Sequence, residues 1–119
     1  SAYNYVVYLF ASLDGISKVG TYSGTGNNID VNCGFAAGAR FVMIKRTDTR
    51  IVGNTEWYIW DTASGIVSGN DPYVLFNEDA AAVTNTDYID PLNAGFTVTS
   101  SAPAGLNASG GTYLFLAIA

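Results

Sequence analysis

Apolar positions along the chain fall in short runs separated by Gly, Asn, Asp, Ser and Pro, the pattern of many short strands joined by turns. Alternation within the runs predicts strands near 4–11, 18–24, 28–33, 40–46, 56–61, 73–77, 95–100 and 111–118. In "RFVMIKR", Phe41, Met43 and Lys45 share one face and Val42 and Ile44 the other, so this strand belongs between two layers. In "EWYIWD", Trp57 and Ile59 lie opposite Tyr58 and Trp60. At least one of these aromatic faces is therefore expected to meet solvent or a partner. Trp57 is the better core candidate, and Trp60 is open to either use.

Turns are marked by "SGTGNN" at 23–28, "GNDP" at 69–72 and "DYIDP" at 87–91, where Gly and Asn accept positive φ and Pro interrupts a ladder. Residues 100–111, "SSAPAGLNASGG", form the loosest connection. Helix signals are poor, and "EDAAAV" at 78–83 offers one or two turns at most, with Asn77 as N-cap. About eight to ten such strands predict an all-β fold, a two-layer antiparallel β-sandwich of jelly-roll type. A β-barrel is the alternative. One domain accounts for the whole length, 1–119.

"YVVYLFA" at 5–11 and "YLFLAIA" at 113–119 are nearly the same strand, each apolar on both faces. A strand apolar on both faces needs cover on both, one more than a sheet pair supplies. A neighbouring subunit is the economical cover, which makes Tyr5, Val7, Leu9, Leu114 and Leu116 the expected oligomer interface.

Composition sharpens this picture. The chain is 49% hydrophobic but only 13% charged, against about 25% in an ordinary soluble domain, so its surface is unusually neutral. The net charge of -5 argues against nucleic-acid binding, and the lack of an apolar run of membrane-spanning length argues against membrane insertion by a helix. The first residue is Ser, which suggests a processed product or a piece of a longer protein. Cys33, alone, reads as a small buried apolar side chain.

Catalytic chemistry is hard to find. The absence of His removes the usual general base and nucleophile partner, and no cofactor is implied. The carboxylates Glu56, Asp61, Glu78 and Asp79 read as solvated strand ends and turns. "SGNDP" and "TNTDYID" carry oxygen ligands of the kind calcium takes, but they read first as Asx turns, and no metal site is assigned. "NAS" at 107–109 matches a glycosylation acceptor by chance. Arg40, Lys45, Arg46 and Arg50 form a local basic patch that keeps a strand end soluble or receives an anion. Sugar sites stack Trp or Tyr against the ring beside polar groups, so Trp60, Tyr58 and Asp61, with Arg50, are the glycan-binding candidates.

Six segments together carry a family resemblance: "YSGTG" at 22–26, "GFAAGARFVMIKRTD" at 34–48, "WYIWDTASGI" at 57–66, "DYIDP" at 87–91, "GFTV" at 95–98 and "ASGGTYLFLAIA" at 108–119. Through them the chain resembles β-rich domains near the C-termini of tail-fibre and other virion proteins of tailed bacteriophages. "TRIVGNTE" at 49–56 departs from that pattern as an insertion. The resemblance implies a non-enzymatic structural module of a virion appendage, a homotrimer beside other virion proteins, with a host-recognising role. It also makes residues 1–11 the closing strand of a preceding repeat unit, in a place related to that of the last strand. Two further expectations remain open: a carbohydrate-binding receptor tip, and a capsid or filament subunit that donates a strand to its neighbour.

Overall fold

In the computed structural model, which describes residues 2–119, the turn-bounded runs become eight strands and one short helix. In chain order these are β1 (Ser17–Ser23), β2 (Ile29–Asn32), β3 (Phe41–Arg46), β4 (Trp57–Asp61), β5 (Val74–Leu75), β6 (Ile89–Leu92), β7 (Gly95–Val98), α1 (Ala104–Asn107) and β8 (Thr112–Ile118). A five-stranded sheet in the order β1-β8-β3-β4-β5 packs on a three-stranded sheet in the order β2-β7-β6, and every pairing is antiparallel. The fold is the β-sandwich expected from the strand pattern. Both sheets keep open edges, so the barrel alternative is not realised.

Strand parity builds the core. Val42 and Ile44 of β3, Tyr58 and Trp60 of β4, and Tyr113, Phe115 and Ala117 of β8 point inward to meet Val31, Ile89, Phe96 and Val98 of the small sheet. Phe96 meets Phe115 edge-on at 5.5 Å, joining the two layers. Gly20 sits opposite Phe115 in the β1–β8 register, where a Cβ would press on the Phe115 ring at 2.9 Å. That strand position therefore takes glycine, since the ring occupies the space a side chain needs.

The helix α1 lies inside the segment expected to be the loosest. Leu106 is fully buried, and Asn107 is held at all four of its hydrogen-bonding positions. Its Oδ1 accepts from Thr25 N and Gly26 N, while its Nδ2 donates to Asn27 O and Thr99 O. Asn107 is thus a structural lock, and its side-chain nitrogen is not offered to a glycan.

Several sequence expectations are corrected. Residues 78–83 form no helix, and the strand expected over 73–77 shrinks to Val74–Leu75. "DYIDP", read as a turn, runs into β6, because Pro91 lies on an edge strand whose outer side needs no amide donor. Residues 4–11 are not a strand, and all of Ala2–Ala11 is exposed. They do not lie beside β8, whose two edges are already filled by β1 and β3.

Candidate functional site

The outer face of the large sheet is where the fold departs from an ordinary sandwich. Register places Val19 beside Leu116, Leu116 beside Met43, Met43 beside Ile59, and Ile59 beside Val74. One apolar stripe therefore crosses all five strands, about 19 Å at the usual strand spacing. Phe41, Trp57 and Leu114 flank it, and with Val19, Met43, Ile59 and Leu116 they line an apolar groove of about 790 Å³. Tyr8 and Phe10 border the same groove. An outward sheet face is normally polar, and a contiguous apolar surface of this kind marks an interaction site.

The segment leading to β1 is a second apolar surface. Tyr5, Val7 and Leu9 are 82%, 71% and 90% exposed. Of the interface residues expected from sequence, these three stand in solvent, while Leu114 and Leu116 lie in the groove. The two groups do not meet within one copy. Tyr8 and Phe10, the residues that do reach the groove, were missed, as were Phe41, Met43, Trp57 and Ile59 from its floor.

The proposed glycan platform takes a different form in the structure. Trp60 is 0% exposed and Tyr58 is buried, stacked on each other at 5.8 Å and joined by Tyr73. Trp57, expected in the core, lies on the outer face, and Trp60, for which either use was open, is the one in the core. Lys45 explains this: it shares the parity of Phe41 and Met43 and pairs with Trp57, so the face that carries a charge turns outward and takes Trp57 with it. Lys45 Nζ lies 5.4 Å over the Trp57 ring. Asp61 turns its carboxylate to Ser64, accepting from Ser64 N at 2.8 Å. Arg50 is exposed on a shallow recess with Lys45, Arg46, Thr47, Thr49 and Thr55, apart from Trp60 and Tyr58. The four candidates do not form one site.

Within the basic patch, Arg46 is committed to structure. Its guanidinium pairs with Asp48 at 2.7 Å and donates to Ala104 O at 2.9 Å. The hydrogen bond from Arg46, helped by Thr112 N, holds the Asp48 carboxyl at about 2, well below its ordinary value of 3.8. Cys33 is buried, and burial pushes its thiol up to about 11, away from reactivity.

Carboxylates also gather beside the small sheet. Asp71, Asp87 and Asp90 each place an oxygen within 4.8 Å of the others. Burial, reinforced by the charges of Asp87 and Asp90, pushes the Asp71 carboxyl up to about 7. The Asp87 carboxyl is raised by its own burial and then by Asp90.

Residues 1–119 match, end to end, the family model described as a domain of unknown function, DUF7483. The chain belongs to the DUF7483 family. No curated protein and no solved structure matches it. The family description assigns no activity, so the chemistry of this DUF7483 domain rests on its own surfaces. Among its described residues no helix is long and apolar enough to cross a membrane.

Proposed function

We propose that the domain is a non-enzymatic structural module that assembles with copies of itself, each copy laying its residues 2–11 over the outer groove of a neighbour. The observation that carries this reading is the pairing of an apolar groove with an apolar segment on the same chain. Area supports it. Tyr3, Tyr5, Tyr8 and Phe10 are between 56% and 82% exposed, and at 150–250 Å² per aromatic they offer about 600 Å² before Val6, Val7 and Leu9 are added. A stable complex needs about 800 Å² from each partner. The tail-fibre resemblance supports placing this module in a bacteriophage virion appendage, as a trimer beside other virion proteins. The low surface charge fits close packing rather than electrostatic steering.

Light scattering coupled to size exclusion tests the assembly, with a trimer expected at tens of micromolar. Val7→Glu combined with Leu9→Glu should give a monomer with unchanged melting temperature, because both side chains are exposed in the single copy. A monomeric unmodified domain would sink the proposal. A closed dimer would remove the threefold reading, and open polymers would favour a filament subunit.

A further inference from the structure

We propose that Asp71, Asp87 and Asp90 form a binding site for a divalent cation, calcium by its size and preference for oxygen ligands. The site is independent of the apolar groove and of the assembly reading above. Its residues come from the two segments whose oxygen-rich character stood out in the sequence, "SGNDP" and "TNTDYID", which the fold brings together.

Three carboxylate oxygens lie within 4.8 Å of one another. Ligands on opposite sides of a calcium ion at 2.3–2.6 Å stand about 4.6–5.2 Å apart, so oxygens within 4.8 Å of one another are within reach of a single ion. Among the described residues no Lys or Arg makes an ion pair with any of the three; the ion pair found there, Arg46–Asp48, lies elsewhere. The cluster thus concentrates negative charge with no side-chain counterion.

The second observation is an unsatisfied buried carboxylate. Asp71 is 0% exposed, and its Oδ2 has no hydrogen-bond partner. Its other oxygen, Oδ1, accepts from Val67 N at 2.7 Å, and its own N donates to Thr86 O at 2.7 Å, which together hold the carboxylate in place. Asp87 Oδ1 and Thr86 Oγ1 are likewise buried without partners. Buried polar atoms in native proteins are nearly always paired, so three orphaned oxygens beside three clustered acids point to a missing positive partner. The calcium shell takes six to eight oxygens, which leaves places for water and backbone carbonyls and suits a partly open site. Magnesium fits less well, since it demands shorter distances and near-octahedral geometry.

Terbium provides the direct test, because Tyr88 adjoins Asp87 in the chain, Tyr73 is two residues from Asp71, and the two rings stack on each other at 5.6 Å, placing a sensitiser near the site. Excitation of tyrosine should give terbium luminescence that millimolar calcium reverses. Asp87→Asn should weaken terbium binding about tenfold or more, whereas Asp79→Asn, on an exposed segment, should not. Thermal unfolding supplies a second readout. Calcium should raise the melting temperature of the unmodified domain over its value in chelator and raise that of Asp87→Asn less at the same concentration. In chelator, Asp87→Asn should melt no lower than the unmodified domain, because it relieves repulsion. Absence of sensitised luminescence, equal luminescence in Asp87→Asn, or a melting temperature indifferent to calcium would each overturn the site. Displacement by magnesium as effective as by calcium would overturn the choice of ion.

Discussion

Trp60 carries more of the core than any other single side chain, being the largest one fully buried. Its ring stacks on Tyr58 and meets Tyr73, while its Nε1 is buried without a partner. Trp60→Ala should therefore cost about 3–5 kcal/mol, the usual penalty for emptying a large aromatic site. Trp60→Phe keeps an aromatic face and removes the orphaned N–H, so urea unfolding should place it well above Trp60→Ala in stability. A Trp60→Ala variant as stable as the parent would contradict this packing. Sequence alone shows that Trp57 and Trp60 lie on opposite faces, but not which face turns inward. Both are aromatic, and the deciding residue, Lys45, sits on another strand and acts only through the β3–β4 register.

Among the elements, the start of β8 is tied to the end of β3 by charge. Asp48 accepts from Arg46 and from Thr112 N, bridging the two strands just beyond their ladder. Its carboxyl is depressed in the folded state, so the contribution to stability is present above about pH 4 and fades as the pH falls toward about 2. Asp48→Asn retains the acceptor for Thr112 but loses the charge. Chemical unfolding of the two proteins should differ at pH 5 and converge near pH 2; a gap that persists in acid would assign the effect to something other than the ion pair. At this scale most of the fold was legible, because β1, β2, β3, β4, β7 and β8 follow turn-bounded apolar runs. β6 was hidden by Pro91, whose tolerance depends on the strand being an edge. Residues 4–11 misled in the other direction: their β-propensity is high, yet a strand exists only where it pairs with a neighbour, and these residues join neither sheet.

For the whole molecule, the long axis of 47 Å against 29 Å in the other two directions makes an elongated particle with an exposed apolar segment at residues 2–11. Chymotrypsin should cut at Tyr3, Tyr5, Tyr8 or Phe10 in dilute solution and leave the sandwich intact, and assembly at high concentration should protect those sites. Equal cleavage at both concentrations would argue against burial of the segment between copies. The chain by itself determined the strand-rich class, most of the turn positions and the doubly apolar character of β3, β4 and β8, because these follow from local conformational preference and a period of two. Only the tertiary structure decided which face became core, that the second face lines up as a stripe across five strands, and that Asp71, Asp87 and Asp90 converge. Those outcomes depend on register and on contacts between residues far apart in the chain, where no local pattern records the pairing.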